Sequence, residues 1–330
     1  MEVKKIAIRE LVEFVLRSGS IDEGKNSNHT PQEGARIHRQ LQKEGGADYQ
    51  KEVWLKKPVE IADTAVQIEG RADGIYIEEN RVFIDEIKTS ETPFEELEAG
   101  IIDLYFYQAM VYAYIYSEQE ELTEIGTRLT YFQTTEEKIT RQARTFTFEE
   151  LTDFFNDLIK RYESWLVFQM EWRETRNNSL KALAFPFDAY RAGQRELAAA
   201  VYKTIHAQQK LFVEAPTGTG KTMSTLFPTF KAMGEGLGER IFYLTAKTIT
   251  RQVAEETVTK ITKKDARVKS VTLTAKDKIC FLTERNCTPE HCPFAKGYYD
   301  RVNDGLWDML NNEDQYTRPA VSYTHLTLPT

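Results

Sequence analysis

Polar and apolar residues alternate along five short segments in the first half of the chain, and this period-two pattern predicts β-strands. The five segments are Thr64–Glu69, Gly74–Ile77, Arg81–Ile87, Arg128–Thr134 and Lys138–Thr145. Glu78-Glu79-Asn80 separates the second segment from the third and has the polar composition of a turn. The pattern therefore predicts two hairpins.

A helical pattern follows each predicted hairpin. The stretch from about Pro93 to Ser117 is compatible with one long helix. Thr147 and Glu150 have the spacing of a capping box, which marks the start of the next helix. That helix carries an apolar stripe at helical spacing, made of Leu151, Phe154, Phe155, Leu158, Ile159 and Tyr162.

From about Phe185 onward, predicted strands alternate with predicted helices, as they do in parallel α/β domains. These strands are Leu211–Glu214, Arg240–Leu244 and Val268–Thr274. Because 330 residues are many for one compact domain, we expect two domains, with the boundary near residue 180.

Composition narrows the class of protein. No run approaches the roughly 18 apolar residues of a membrane span, and the N-terminus has no apolar signal-peptide core. We therefore expect a soluble, cytoplasmic protein without a membrane partner. The net charge of −8 argues against a generally basic nucleic-acid-binding surface but leaves room for a local basic groove.

The segment Glu214-Ala-Pro-Thr-Gly-Thr-Gly-Lys-Thr222 follows a short apolar run and precedes a helical pattern, which is the context of a phosphate-binding loop. Its glycines let backbone N–H groups turn toward an anion, and the helix N-terminus adds positive potential. Lys221 is expected to reach the β- and γ-phosphates of ATP, and Thr222 to hold Mg²⁺. The expected nucleotide-binding residues are Thr217, Gly218, Thr219, Gly220, Lys221 and Thr222.

Carboxylates and a lysine are expected to meet on the first predicted hairpin. Glu86 and Lys88 share one strand face, Asp85 points to the other face, and Asp73 lies on the preceding strand. Two carboxylates there could bind Mg²⁺ or Mn²⁺. Lys88 could orient or deprotonate the attacking water and stabilise developing negative charge.

These residues resemble the PD-(D/E)xK nuclease motif, and two further segments resemble elements of its RecB-like branch. Gly34-Ala-Arg-Ile-His38 is similar to the upstream element whose histidine is a metal ligand. Gln108-Ala-Met-Val-Tyr112 is similar to the element that positions DNA and the catalytic residues, and Gln108 and Tyr112 share a helix face. The resemblance implies metal-dependent cleavage of DNA.

Cys280, Cys287 and Cys292 lie within thirteen residues, and such clustering in a cytosolic protein indicates a metal site before a disulfide. Zinc could bind these three thiolates and His291. A [4Fe–4S] cluster would need a fourth cysteine.

A second resemblance concerns the region around the phosphate-binding loop. Tyr190-Arg-Ala-Gly193-Gln194-Arg195 resembles the Q-motif of superfamily-2 helicases, in which the glutamine reads adenine, and Thr245-Ala-Lys247-Thr248 suits contacts to a DNA backbone. With the cysteines, these motifs look like those of the XPD/DinG iron–sulfur helicases. That resemblance implies ATP, a [4Fe–4S] cluster and 5′-to-3′ movement on single-stranded DNA.

The combined prediction is a restriction-endonuclease-like α/β nuclease domain at residues 1–180, followed by a partial RecA-like P-loop domain with an iron–sulfur insertion at residues 181–319. The cysteine cluster occupies residues 275–300. Residues 320–330 resemble a non-native tail, and we expect a truncated chain that lacks the D-E-x-H motif and the second motor domain. The predicted function is DNA repair or processing.

Two alternatives remain open on the sequence. The first is a helicase whose nuclease-like domain grips DNA without cutting it. The second is a non-catalytic, nucleotide-binding scaffold of a DNA-processing complex.

Overall fold

The computed structural model describes residues 3–23, 30–46, 48–216, 218–263 and 265–317. The chain divides into two compact units. Among the described residues, unit 1 comprises those up to Val167 together with Thr274–Met309, and unit 2 comprises Phe168–Leu273 together with those from Leu310 onward. The chain thus enters unit 2, returns to unit 1 with the cysteines, and enters unit 2 again. The predicted non-native tail, residues 320–330, lies outside the described residues.

Unit 1 is built on a mixed six-stranded sheet. Its strands are β1 (Lys4–Ala7), β2 (Gln50–Ile61), β3 (Thr64–Glu78), β4 (Arg81–Ser90), β5 (Glu124–Gln133) and β6 (Lys138–Thr147). The pairs β1–β3 and β4–β5 are parallel, whereas β2–β3, β3–β4 and β5–β6 are antiparallel. Both predicted hairpins are therefore present. The turn between β3 and β4 is Glu79-Asn80, and both residues have positive φ, as a two-residue type I′ turn requires.

The helices of unit 1 lie on both faces of this sheet. They are α1 (Ile8–Leu16), α2 (Pro31–Glu44), α3 (Ala99–Gln119) and the first part of α4 (Phe148–Lys181). A single 3₁₀ turn, Phe94–Glu96, precedes α3, so the long helix starts later than the sequence pattern predicts. The predicted capping box is confirmed, because Thr147 N donates to Glu150 and Glu150 N donates to Thr147 Oγ1.

Alternation along β4 separates two hydrophobic cores. Ile84 packs with α1, α3 and α4, whereas Ile87 packs with Ile37 and Leu41 of α2. Because neighbouring strand residues face opposite sides, Glu86 and Lys88 are on the α3 face and Asp85 is on the α2 face. The predicted orientation of these three residues is confirmed.

Unit 2 contains the last part of α4, followed by α5 (Gln194–His206), α6 (Lys221–Gly234), α7 (Thr248–Thr262) and β7 (Ser270–Val271). After α8 (Lys276–Ile279) in unit 1, α9 (Tyr298–Asn312) leads back, and β8 (Gln315–Tyr316) pairs in parallel with β7. Leu180, Met223, Phe230 and Ile261 are among the residues that form the core of this unit.

The prediction of strands at Leu211–Glu214 and Arg240–Leu244 is wrong for the described structure, and Val268–Thr274 shortens to β7. An apolar run becomes a strand only when a neighbouring strand takes its backbone hydrogen bonds. Within the described parts of the chain, these two segments have no such neighbour. Their apolar side chains are consequently exposed, with Phe212 93% and Leu244 88% accessible.

Candidate active site and phosphate-binding loop

The candidate active site lies in a gap along one edge of β3. Residues Val66–Glu69 of that edge pair with β1, and Gly74–Glu78 pair with β4. Residues 70–73 between them pair with neither strand, because the ladder with β1 ends at Ala7↔Glu69 and the ladder with β4 begins at Gly74↔Asp85. Asp73 is the last residue of this stretch.

Glu86 and Lys88 form a buried ion pair on β4. Lys88 Nζ lies 2.6 Å from Glu86 Oε1, and the Glu86 side chain is only 2% exposed. Burial raises the pKa of Glu86 to about 7, although the neighbouring ammonium opposes that shift. Burial acts to lower the pKa of Lys88, but the interactions with Glu86, Asp73 and Tyr105 together outweigh burial, so the pKa of Lys88 is raised. Lys88 therefore carries its proton at neutral pH.

The second oxygen of Glu86 has no partner. Glu86 Oε2 is buried and accepts no hydrogen bond within the described structure. An unsatisfied buried carboxylate oxygen is costly, commonly about 1–3 kcal/mol or more. A cation placed beside this oxygen would remove that cost.

Asp73 joins β3 to β4 where their backbone ladder ends. Asp73 Oδ2 accepts a hydrogen bond of 2.8 Å from Ile87 N, so a carboxylate takes the place of a strand carbonyl. His38 of α2 approaches the same group, with its Nδ1 at 3.5 Å from Asp73 Oδ1. The structure thus brings His38, Asp73 and Glu86 to one end of the gap, with Asp73 close enough to raise the Glu86 pKa.

Helix α3 supplies the remaining predicted groups. Lys88 Nζ donates to Gln108 Oε1 at 3.3 Å and lies 5.2 Å from the centre of the Tyr105 ring. The Tyr112 hydroxyl lies against Gly70 of the gap, where an added Cβ would come within 2.7 Å of it. Burial raises the pKa of Tyr112, so its hydroxyl remains a proton donor.

Asp85 belongs to a separate network on the opposite sheet face. It accepts hydrogen bonds from Tyr49 Oη at 2.8 Å, from Arg128 at 3.1 and 2.8 Å, and from Thr130 Oγ1 at 2.7 Å. Arg128 also stacks on Tyr76. Asp85 is 2% exposed and fully hydrogen-bonded, so it stabilises the fold and is not available as a ligand.

The donor set at the gap has the chemistry of a divalent-metal site but is not a closed cage. Among the residues that the structure describes, no three His, Cys, Asp or Glu side chains are arranged to hold a metal ion. Lys88 occupies one oxygen of Glu86, while Oε2 is unpaired. Carboxylate oxygens are the preferred ligands of Mg²⁺, and the unpaired oxygen fits that ion.

The phosphate-binding loop leads into α6. Gly218 and Gly220 have φ values of +82° and +76°, a conformation that favours glycine. Lys221 Nζ donates to Ala215 O at 2.7 Å and Thr219 Oγ1 to Pro216 O at 3.0 Å, so the loop's own carbonyls take these donors. Thr222 accepts a hydrogen bond from Tyr243 at 3.4 Å. Thr217 lies outside the described residues.

Gln194 is brought to this loop by the start of α5. Its side chain is 3% exposed and accepts a hydrogen bond from Arg191 N, while Arg191 Nη1 donates to Gly218 O at 2.8 Å. An apolar cavity of about 380 Å³ opens between α5 and the loop. Its walls include Gly193, Leu197, Val213, Ala215, Pro216 and Thr219.

The three cysteines are free thiols that the structure does not gather into a metal site. Backbone hydrogen bonds tie each to a different partner: Cys280 N to Lys276 O, Cys287 O to Glu23 N, and Cys292 N to Thr288 O. Burial raises the pKa of Cys287, which opposes the thiolate form that a metal requires.

The cysteine segment packs against the loop that follows α1. Ile21 N donates to Ala295 O at 3.0 Å and Tyr299 N to Gly19 O at 2.9 Å. Lys276 Nζ lies 2.6 Å from Glu23 Oε1. These contacts explain why the cysteines belong to unit 1, whereas the sequence places them in the P-loop domain.

Three residues that contact the predicted site residues are not predicted from the sequence. Gln42 contacts the backbone of Asp73, Tyr105 faces Lys88, and Arg191 holds the phosphate-binding loop. For Gln42, the only indication in the sequence is its position four residues after His38, which places both residues on one helix face. The other two contacts depend on folding that the sequence pattern does not define.

The match to a known protein family lies in the second half of the chain. Residues 194–302 match the DEAD/DEAH box helicase family. This match covers the phosphate-binding loop and Gln194, and it indicates a helicase-like, ATP-hydrolysing region that acts on nucleic acid. No curated protein matches at a significant level.

Two solved structures are distantly similar to this chain. The chain is similar to the crystal structure of SSO0001 with 18% identity and a TM-score of 0.34, covering 48% of this chain and 77% of the other. It is similar to Scheffersomyces stipitis Rai1 with 13% identity and a TM-score of 0.25, covering 52% and 62%. These scores are too low to assign a shared fold. Among the described helices, none combines the length and apolar character needed to cross a bilayer.

Proposed function

We propose that this chain is a metal-dependent DNA nuclease joined to an ATP-dependent DNA helicase motor, acting in DNA repair or processing. The helicase part is supported by the DEAD/DEAH match at residues 194–302. The nuclease part rests on the four-element resemblance and on one observation: Glu86, Lys88 and Asp73 meet at a strand gap, and a buried oxygen of Glu86 has no partner.

The predicted site residues around the gap would have different roles in phosphodiester hydrolysis. Asp73, Glu86 and His38 would hold Mg²⁺ or Mn²⁺, which supplies a Lewis acid and lowers the pKa of bound water. Lys88 keeps its proton and places a positive charge beside the phosphate oxygen where negative charge develops. Gln108 fixes the Lys88 ammonium. Tyr112, whose hydroxyl lies against Gly70, would hold this part of β3 in place.

The P-loop residues of unit 2 would bind ATP. Lys221 exchanges the Ala215 carbonyl for the β- and γ-phosphates, and the backbone N–H groups of Gly218, Thr219 and Gly220 face the same anion. Thr222 would hold Mg²⁺. The cavity between α5 and the loop has the apolar walls that an adenine ring needs, and Gln194 lies beside the loop.

The cysteines support a separate proposal. On the resemblance to XPD/DinG helicases, Cys280, Cys287 and Cys292 would bind a [4Fe–4S] cluster. Within the described residues, these three thiols are not arranged to hold a metal ion or cluster. Anaerobic purification with iron and zinc analysis tests this proposal: iron with visible absorbance supports it, and stoichiometric zinc overturns it.

Cleavage of a fluorescently labelled single-stranded DNA tests the nuclease. Full-length protein with Mn²⁺ is expected to cut it, and Lys88→Ala is expected to reduce the rate about 100-fold or more, a typical loss for one transition-state contact. Lys43→Ala, an exposed lysine on α2, is the matched control. A wild-type protein that binds the strand without cutting it would identify the non-cleaving, DNA-gripping alternative instead.

A further inference from the structure

The ladder between β2 and β3 is interrupted beside Asp73. Pairing runs regularly from Ile61↔Thr64 to Val53↔Ala72 and resumes at Lys51↔Gly74. Glu52, which stands opposite Asp73, has a φ of +55°. For a residue with a side chain, this left-handed conformation costs about 1–2 kcal/mol, and such strain persists only where surrounding contacts hold it.

The interruption changes which way β3 faces. Ala72 and Ile75 are three residues apart, yet both are buried in the same core cluster. A regular strand would send them to opposite faces. The alternation of side chains between the two faces of β3 is therefore shifted by one residue at Asp73. Strand irregularities of this kind change the direction in which a side chain points. The slip lets the Asp73 carboxylate reach Ile87 N.

Gln42 holds this interruption from α2. Its side-chain nitrogen donates to Asp73 O at 2.9 Å and to Glu52 Oε1 at 2.9 Å, and the residue is only 2% exposed. Both partners are acceptors, so only the NH₂ end of the amide can face them. Gln42 thereby uses its two donors on the two residues at which the ladder breaks.

The same helix face also reaches the carboxylate of Asp73. His38 precedes Gln42 by four residues, which places both on one side of α2. His38 Nδ1 lies 3.5 Å from Asp73 Oδ1. Helix α2 therefore contacts Asp73 twice, through His38 at the side chain and through Gln42 at the backbone.

We infer that Gln42 is a positioning residue of the candidate metal site, fixing the backbone of Asp73 so that its carboxylate stays turned toward Glu86 and Lys88. This inference rests on the proposed nuclease function. Gln42 contacts neither the metal nor the DNA in this assignment. Its loss should therefore change metal affinity and turnover while leaving the affinity for DNA nearly unchanged.

Mn²⁺ binding to the full-length chain, measured by titration calorimetry, is the direct test. Gln42→Met keeps the side-chain length and removes both donors. We expect its Mn²⁺ dissociation constant to rise about tenfold or more, as for loss of an outer-shell partner. We also expect kcat for single-stranded DNA to fall while KM stays within about threefold. Gln40→Met, exposed on the same helix, is the control and should match wild type in both measurements.

The outcomes separate this inference from the function on which it rests. A folded Gln42→Met protein with wild-type Mn²⁺ affinity would overturn the role of Gln42 alone. A wild-type chain that neither binds Mn²⁺ nor cuts DNA would overturn the proposed nuclease. If Gln42→Met fails to fold, Gln42→Asn retains the amide one methylene short, and weakened Mn²⁺ binding in that variant supports the inference whereas unchanged binding overturns it.

Discussion

Lys88 Nζ lies 2.6 Å from Glu86 Oε1, and both side chains project from the same face of β4 into a largely buried site. Among the residues that the structure describes, the second oxygen of Glu86 has no hydrogen-bond partner. A buried pair of this kind is poor at stabilising a fold, because desolvation offsets most of the attraction. Its geometry is better explained by the ligand-binding role that we propose for it.

The first prediction concerns pH and stability. The pKa of Glu86 in the fold is about 7, above its ordinary value of 4.5. The folded chain therefore binds this proton more tightly than the unfolded chain does. The resulting stabilisation is fully present below about pH 4.5 and is lost as pH rises through 7. With about 1.4 kcal/mol for each pKa unit, the loss reaches about 3 kcal/mol.

Urea unfolding of the metal-free protein at several pH values measures this effect. Glu86→Gln mimics the protonated side chain and should remove the decline between pH 4.5 and 7. A variant that keeps the full wild-type slope would show that another group causes it.

The second prediction concerns the network around Asp85. Asp85→Ala leaves the Arg128 guanidinium without its carboxylate and frees the Tyr49 and Thr130 hydroxyls. Removing one partner of a buried ion pair typically costs about 3–5 kcal/mol, and we expect a loss in that range. Asp153→Ala, at an exposed position of α4, should stay within about 0.5 kcal/mol in the same denaturation experiment.

The third prediction concerns the close approach of Tyr112 to Gly70. A Cβ at position 70 would lie 2.7 Å from the Tyr112 hydroxyl and 3.2 Å from Ile8 Cδ1. We expect Gly70→Ala to destabilise unit 1 by about 1–3 kcal/mol, the usual cost of overpacking. Adding Tyr112→Phe removes the closest atom and should recover part of the loss. An additive double variant would contradict the proposed contact.

The fourth prediction concerns nucleotide binding. Lys221→Met is expected to weaken ATP binding about tenfold or more, since a charge-assisted bond to phosphate contributes roughly 1.5–3 kcal/mol. Within the described residues, Lys221 Nζ donates to Ala215 O of its own loop, so stability should change little. Fluorescence anisotropy of a labelled ATP measures the affinity, with the exposed Lys210→Met as control. Equal affinities in the two variants would exclude Lys221 as a phosphate ligand.

The sequence predicts the site best where the residues concerned lie on one strand or within one helix turn. The alternation along β4 correctly separated Glu86 and Lys88 from Asp85, and the Thr147–Glu150 spacing correctly started α4. Each of these features depends on neighbours within four residues. Periodicity alone is sufficient in such cases.

Features that depend on distant partners were predicted less well. The apolar runs around Phe212 and Leu244 resemble strands but have no ladder partner within the described structure. The left-handed conformation of Glu52 is held by Gln42 and Arg71, which no strand pattern reveals. The cysteine segment joins unit 1 through backbone hydrogen bonds with residues 19–23, which lie 264 to 280 positions earlier in the sequence.

The path of the chain has a consequence for how its modules can be exchanged. Residues 274–309 return to unit 1 after the chain has built most of unit 2, and α4 and α9 each begin in one unit and end in the other. No single cut separates the two units into whole pieces. A single recombination crossover between two such chains would therefore assemble at least one unit from segments of two different parents.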